Sequence, residues 1–230
     1  GVGRQTNARR VLGTAPVEAD GSAYFEAPPN MQIYFQALDE QGMAVQSMRS
    51  GTYLHPGEHL SCQGCHEPKR RQAMPVSNPP LALRRSASQL QPGPEGSSPF
   101  NYVQLVQPVL DRHCVECHRK EKALDLSGTP AGQFTTSYTN LAGKYGFYFE
   151  STNGSINTCR NGGARSLAGK FGAASSPLLE YLQKSHHGVE LPPEDFARIT
   201  LWLDCNSEFL GAYEDAEAQR RGIPVEPSLH

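Results

Sequence analysis

Two short motifs constrain this chain of 230 residues more than any other feature. They read Cys62-Gln63-Gly64-Cys65-His66 and Cys114-Val115-Glu116-Cys117-His118. In a Cys-x-x-Cys-His motif both thiols form thioether bonds to one haem, and the adjacent His binds the iron. A random chain of this composition would contain only about 0.005 such motifs. The pair therefore predicts two haem c groups, with His66 and His118 as proximal iron ligands.

Two other uses of paired cysteines are the alternatives. A zinc site could use the four thiolates with histidines, but zinc knuckles do not require His directly after both pairs. A thioredoxin-like redox pair would lie at a helix start within a βαβ unit, whereas the second pair ends a predicted helix. Covalent haem is therefore the favoured interpretation at both sites.

Composition and charge narrow the class of protein further. The chain has 22 Gly and 18 Pro, and 37% of its residues are hydrophobic. This predicts a loop-rich protein whose core a buried prosthetic group would complete. A net charge of −2 argues against a nucleic-acid partner. We expect no membrane span, because no stretch approaches 18 apolar residues, and we expect a mature protein or a fragment of a longer one.

The first half of the chain reads as β structure followed by a linker. Residues 31–38 alternate apolar and polar side chains roughly by twos, and residues 39–42 resemble a hairpin loop. Residues 75–99 contain six prolines and several serines, which favours a linker over the alternative of an ordered surface loop.

The second half reads as helical. Residues 100–118 have helical apolar spacing that leads directly into the second motif. Residues 119–175 show few clear elements, and short helices are expected at 177–184 and from Pro192 onwards. The charged tail after Tyr213 is expected to fray.

The predicted fold class is therefore α+β and loop-rich. A small β-rich haem-binding subdomain is expected over residues 1–82, and a Pro/Ser-rich linker over 83–99. A mainly helical, cytochrome c-like domain is expected over residues 100–230.

The sixth ligand of each iron is less constrained than the fifth. His186 and His187 lie between two predicted helices, on a plausible return path across the second haem, whereas His113 is too close to Cys114. At the first haem we favour His55, since His59 is tethered only three residues before Cys62. Further candidates at the first haem are methionines, namely Met43, Met48 and Met74. The other interpretation is that His55 and His59 are polar residues of an exposed turn.

Two cysteines remain after haem attachment, Cys159 and Cys205. Covalent haem and oxidisable thiols indicate a periplasmic or extracellular location. In such a compartment a disulfide between these two residues is expected, the alternative being two unpaired cysteines.

The residues around the motifs resemble a known family. The segment 103–118 resembles the opening helix of c-type cytochrome domains. The segments 13–25, 33–39, 48–58, 186–191 and 201–206 together resemble the dihaem C-terminal region of the hydrazine synthase alpha subunit and its uncharacterised bacterial relatives. This resemblance covers most of residues 11–213. It implies two haems in two subdomains and a second haem with two His ligands, the distal one being His186 and the runner-up His187.

The sequence departs from that family's enzyme at the first haem. In hydrazine synthase a Tyr four residues after the motif His binds the iron, and the motif His turns to zinc. The corresponding residue here is Arg70, which cannot replace a tyrosinate. We therefore expect His66 to be an ordinary proximal ligand, and hydrazine synthesis is not implied.

These observations predict a dihaem c-type cytochrome module that transfers electrons between redox partners and has no catalytic residue of its own. Those partners are redox proteins, or other subunits and domains of a larger complex. One alternative is an enzyme whose first haem has an open site for a small molecule such as peroxide or a nitrogen oxide. Another is a structural or assembly role in a larger complex.

Overall fold

The fold is described from a computed structural model, which covers residues 8–48, 51–64, 78–93, 96–152, 155–160 and 167–227. Short strands and short helices occur in separate groups along the chain, with antiparallel strand pairs, so the protein is α+β as predicted. The chain divides into two units. The small unit comprises Leu12–Phe35 and Met48–Ser97, and the large unit comprises Gly1–Val11, Gln36–Ser47 and Ser98–His230.

The described residues of the small unit form isolated pairings and not a continuous sheet. Strand β1 (Gln32–Ile33) pairs antiparallel with β4 (Thr52–Tyr53), in the register Gln32 to Tyr53. Single bridges join Thr14 to Gln91 and Phe25 to Ser88. A 3₁₀ turn spans Leu81–Arg84.

The proline-rich segment belongs to the small unit and is not a free linker. The Arg85 guanidinium donates to Glu18 Oε1 at 2.7 Å and to Ser88 Oγ at 2.7 Å. Backbone bonds join Thr14 to Gln91 in both directions at 2.8 Å. Among the residues described between 78 and 99, these bonds support the alternative of an ordered surface loop.

The large unit takes in a hairpin that the sequence assigns to the first subdomain. Strand β2 (Gln36–Leu38) pairs antiparallel with β3 (Ala44–Ser47), and residues 39–42 form the predicted loop between them. Gln36 Nε2 donates to the Asp204 carbonyl at 2.9 Å, and the Ala44 amide donates to Asp204 Oδ2 at 2.9 Å. These long-range bonds explain why the hairpin belongs to the large unit, whose last segment begins at Ser98. The predicted boundaries at 82, 83 and 99 stay predictions.

The helical part of the large unit begins with three consecutive short helices. They are α1 (Tyr102–Leu105), α2 (Gln107–His113) and α3 (Val115–Lys120). The Asn101 side chain caps α1 by accepting from the amides of Val103 and Gln104. The predicted helix over 100–118 is therefore confirmed but interrupted. Pro108 lacks an amide proton, which fits a new helix start at Gln107.

Several strands and helices lie within residues 119–175, where the sequence predicts few clear elements. Strands β5 (Pro130–Ala131) and β6 (Phe134–Thr135) precede α4 (Thr136–Lys144), whose cap is the Thr135 hydroxyl. Strands β7 (Tyr148–Thr152) and β8 (Ser155–Arg160) form a hairpin. Helix α5 (Gly172–Ser175) follows.

The two later helices are confirmed as α6 (Leu178–Gln183) and α7 (Pro193–Asp204). Trp202 of α7 is fully buried and lies at the centre of the core, edge-on to Tyr102 at 5.4 Å between ring centres. Tyr138 and Phe209 complete this aromatic cluster. The core thus joins α1, α4 and α7.

The prediction of a frayed tail is wrong for residues 216–220, which form α8 (Ala216–Arg220). Gln219 is 2% exposed, and its side chain accepts from the Gly211 amide at 2.9 Å and donates to the Ala212 carbonyl at 3.0 Å. A buried amide that satisfies distant backbone groups holds the tail in place. Within the described part of the chain, no helix has the length and apolar character needed to cross a membrane.

Asp204 is a buried carboxylate at the end of α7. Its oxygens accept from the Ala44 and Ala173 amides at 2.9 and 2.8 Å. Burial raises the pKa of Asp204 to about 7, more than these two bonds lower it. Gly172 approaches Asp204 so closely, at φ +49°, that a Cβ there would collide with the carboxylate. Asp204 therefore joins β3, α5 and α7.

The raised pKa of Asp204 predicts that stability falls as pH rises. The folded state holds this proton up to pH 7, whereas the unfolded state releases it near pH 4. The free energy of unfolding should therefore decrease between pH 4 and 7, by at most about 4 kcal/mol at 1.36 kcal/mol per pKa unit. Urea unfolding at pH 5, 6, 7 and 8 measures this. Asp204→Asn should flatten the profile and the exposed control Glu190→Gln should not; a profile that rises with pH contradicts the assignment.

Candidate functional site

The second Cys-x-x-Cys-His motif lies where α2 meets α3. Cys114 separates the two helices, while Cys117 and His118 belong to α3. Residues three and four apart on a helix share a face, so the motif presents both thiols and the imidazole on one side. Cys114 is half-buried and packs against the core, whereas Cys117 is exposed.

His118 is held in one orientation by a backbone carbonyl. Its Nδ1 lies 2.7 Å from the Leu124 carbonyl oxygen, which can only accept, so Nδ1 carries the proton. The chain turns back after α3 at Lys122 (φ +51°), and the Ala123 amide donates to the His118 carbonyl at 2.9 Å. This arrangement leaves Nε2 available as a metal ligand. Metal-binding histidines usually donate their other ring N–H to a carbonyl or carboxylate in this way.

The structure brings His186 to His118. His186 begins a 3₁₀ turn (His186–Gly188) between α6 and α7, and its ring centre is 6.2 Å from that of His118. An imidazole nitrogen binds a metal at about 2 Å, with the ring centre about 1 Å further away, so two imidazoles on opposite sides of one metal have centres about 6 Å apart. The runner-up, His187, is exposed and lies 4.4 Å from the His186 ring.

The thiol of Cys114 is not of the reactive kind. Burial raises the pKa of Cys114 to about 11, and the neighbouring Cys117 adds to the shift. Redox-active and nucleophilic cysteines have lowered pKa values, because only the thiolate attacks. This environment does not favour the thioredoxin-like alternative. Within the described residues, no group of three or more His, Cys, Asp or Glu side chains is placed to hold a metal ion.

A buried carboxylate connects the motif to α7. Asp195 is 5% exposed and lies 2.8 Å from His113 Nε2, 2.7 Å from Arg112 Nη2 and 2.6 Å from Arg198 Nη1. Burial alone would raise the pKa of Asp195, but the bonds from His113, Arg198 and Arg112 together lower it below its usual value. The sequence indicates Asp195 only as an acid in the first turn of a helix; the pairing with residues 112 and 113 has no local signal.

Removing the Asp195 carboxylate is expected to destabilise the large unit. Asp195→Ala leaves three donors without their acceptor and should cost about 2–3 kcal/mol in urea unfolding at pH 7. The contribution is present above the unfolded pKa of about 3.9 and is lost as pH falls through the lower folded value. The matched control is Glu194→Gln, which removes an exposed carboxylate 3.8 Å from Arg198 and should cost under about 0.5 kcal/mol. Equal losses in the two variants would contradict the assignment.

Only part of the first motif lies within the described residues. Cys62, Gln63 and Gly64 are exposed. Cys65 and His66 lie outside the described residues, as do Arg70 and Met74, so the predicted attachment and proximal ligation at this site stay predictions.

The candidates for the sixth ligand of the first haem lie in different surroundings. His55 is exposed and edge-on to Tyr53 at 5.3 Å between ring centres. Its turn is closed by Glu58, whose carboxylate accepts from the His55 amide at 2.8 Å. His59 is also exposed. Met43 is 6% exposed within the core of the large unit, which does not favour it as a ligand.

The predicted disulfide between Cys159 and Cys205 stays a prediction. Cys205 is 3% exposed, and Cys159 is paired with Phe149 along the β7–β8 hairpin, but the Cys159 side chain lies outside the described residues. A disulfide closing this loop of about 45 residues should contribute about 3–4 kcal/mol. Thiol counting on unfolded, unreduced protein should find neither cysteine; two reactive thiols would refute the bond.

The chain thus combines an α+β fold with a Cys-x-x-Cys-His turn that faces a second histidine. A family model described as the hydrazine synthase alpha subunit middle domain matches residues 2–67. Hydrazine synthase subunit alpha from Kuenenia stuttgartiensis is 38% identical over 58 residues, which are 25% of this chain and 7% of that protein. The solved structure of Kuenenia stuttgartiensis hydrazine synthase matches with a TM-score of 0.62 and 18% identity, over 90% of this chain and 34% of that chain.

These matches relate the chain to the alpha subunit of hydrazine synthase, as its sequence predicts. The family model, however, is that of the middle domain and not of the predicted C-terminal region, and the assignment of two haems stays a prediction. The chain spans about a third of the hydrazine synthase chain in the solved structure. Its sequence alignment with hydrazine synthase subunit alpha covers a much smaller part of that protein. At 18% identity the structural match shows a shared fold. The family model ends at residue 67 and so includes the first Cys-x-x-Cys-His motif but not the second.

Proposed function

We propose that this chain is a dihaem c-type cytochrome module that transfers electrons between redox partners. The observation that carries the proposal is the meeting of His118 and His186, with ring centres 6.2 Å apart, beside the Cys114 and Cys117 thiols. Two thiols and two adjacent imidazoles make up one donor set with which a covalently attached haem becomes six-coordinate.

The surroundings of the second motif fit such a group. The segments that flank His118 and His186 in the sequence carry partly buried apolar side chains that pack against the core: Val115, Leu124, Leu178, Leu182, Leu191 and Phe196. Such side chains would cover the faces of a porphyrin and exclude water from it. Cys114 and Cys117 would attach the group, while His118 and His186 would bind its iron. When bound, haem c supplies one-electron redox chemistry.

The protein's contribution at this site is orientation. The Leu124 carbonyl fixes the proton on His118 Nδ1 and so directs Nε2 to the metal. Asp195 holds the residues just before Cys114 against α7, the helix that follows the His186 turn. The thioether attachment and the return segment are thereby kept at a constant separation.

At the first site we propose attachment through Cys62 and Cys65, with His66 as proximal ligand and His55 as distal ligand. The motif sequence supports attachment, and the exposure of His55 supports its availability. Other subunits of a complex are the proposed partners, because the matched relative is named as a subunit. We also propose a periplasmic or extracellular location, which covalent haem attachment and oxidisable thiols support.

The visible spectrum with and without CO or cyanide tests this function. Two six-coordinate low-spin haems that bind neither ligand are the expected result for electron transfer. A high-spin haem that binds CO or cyanide would favour the alternative, an enzyme with an open first site. A protein without haem would overturn both.

A further inference from the structure

We infer that Tyr181 is a positioning residue for His186, and that its ring holds the imidazole in the orientation that faces His118. The inference rests on the proposed function, since it concerns the distal ligand of the second haem. It assigns a role to an exposed aromatic residue that core packing does not require.

The two histidines of the pair are held by different means. His118 has a hydrogen bond from Nδ1 to a backbone carbonyl. The His186 imidazole instead contacts other rings. Tyr181 lies at 5.2 Å between centres and 88° between planes, and His187 at 4.4 Å and 72°. Edge-to-face contact is the preferred geometry between aromatic rings, because the positive edge of one meets the negative face of the other.

The backbone around His186 needs such support. Ser185 has φ +49° and His187 has φ +50°, both in the left-handed region that side-chain-bearing residues rarely adopt. Conformations of this kind persist only where the surroundings hold them, and they often occur at ligand sites. His186 is therefore presented on a strained turn whose ring contacts decide where the imidazole points.

Tyr181 is itself fixed from the core side. Its ring is edge-on to Tyr145 at 5.8 Å and 83°. Tyr145 is 9% exposed, and its carbonyl accepts from the buried Ser176 hydroxyl at 2.6 Å. A continuous row of rings thus runs from the core through Tyr181 to His186. Tyr181 is 45% exposed, so this row of rings reaches the surface at Tyr181.

Three variants of α6 test the role of the ring in the full-length, haem-loaded protein. Tyr181→Leu replaces the ring by a smaller apolar side chain, Tyr181→Phe removes only the hydroxyl, and Glu180→Ala is a control at an exposed neighbour. The readouts are the low-spin ferric EPR signal of the second haem and the CO-binding rate of the reduced protein. Denaturing mass spectrometry gives the haem content of each variant.

Tyr181→Leu should shift the EPR g-values and raise CO binding at the second haem about three- to tenfold, as expected for the loss of one edge-to-face contact. Tyr181→Phe and Glu180→Ala should match the wild type. The inference is overturned if Tyr181→Leu leaves both readouts unchanged, or if Tyr181→Phe behaves like Tyr181→Leu. Absence of haem from the wild type would instead overturn the proposed function.

Discussion

Replacing His186 with Ala is expected to convert the second haem from a six-coordinate low-spin state to a high-spin state that binds CO. The physical reason is the loss of the only imidazole that the described structure places facing His118. The change should appear as a shift of the ferric Soret band and as a CO adduct equal to about half of the total haem. Haem content should not fall, since the thioether bonds and His118 remain.

His187→Ala is the matched control for this prediction. His187 is adjacent in sequence and shares the same turn, but the ring facing His118 is that of His186. Its removal should leave the second haem low-spin. If His187→Ala opens the haem to CO and His186→Ala does not, the ligand assignment is wrong.

The second large effect is expected from removing the second attachment site. Cys114→Ser together with Cys117→Ser should lower the mass of the denatured chain by one haem. It should also destabilise the large unit by about 3 kcal/mol, which is roughly 10 °C in Tm. The reason is that two or more apolar side chains packed against the haem would become exposed to water. Differential scanning calorimetry and mass spectrometry measure the two effects.

The corresponding change at the first motif provides the comparison. Cys62→Ser with Cys65→Ser should also remove one haem but should leave the low-spin signal of the His118 and His186 pair intact. Loss of the same spectral component from both double variants would show that the two motifs do not hold separate haems.

Much of the second site was predictable because its signals are local. The spacing Cys-x-x-Cys-His predicts attachment and proximal ligation without knowledge of the fold. Pro193 and the acids after it predict where α7 begins. The approach of His186 to His118, 68 residues earlier in the chain, has no such local signal. Its expectation depends on the return path before α7 and on the family resemblance.

The parts that the sequence does not indicate depend on long-range contacts. Helix α4 contains Thr, Ser and Asn, which are poor helix formers, and it is stabilised by burying Tyr138, Leu141 and Ala142. Helix α8 depends on Gln219. Its side chain bonds the backbone of Gly211 and Ala212, and its backbone carbonyl accepts from the Asn101 side chain. No local pattern encodes such bonds.

The domain boundaries show the same limit. Six prolines are typical of a linker, yet Arg85 and Gln91 bind that segment to residues 14–24. The β2–β3 hairpin is correct as a local prediction, but its assignment to the large unit depends on Asp204, far away in sequence. The composition of a segment indicates its local structural preference but not the distant residues with which it forms hydrogen bonds.

The central claim is that two haems are covalently attached to this chain, and denaturing mass spectrometry of the unmodified protein tests it most directly. The predicted result is a single species with the mass of the polypeptide plus two haems, and peptides modified at both Cys-x-x-Cys-His motifs. A species with the bare polypeptide mass, whether or not zinc is found in the native protein, would contradict the account.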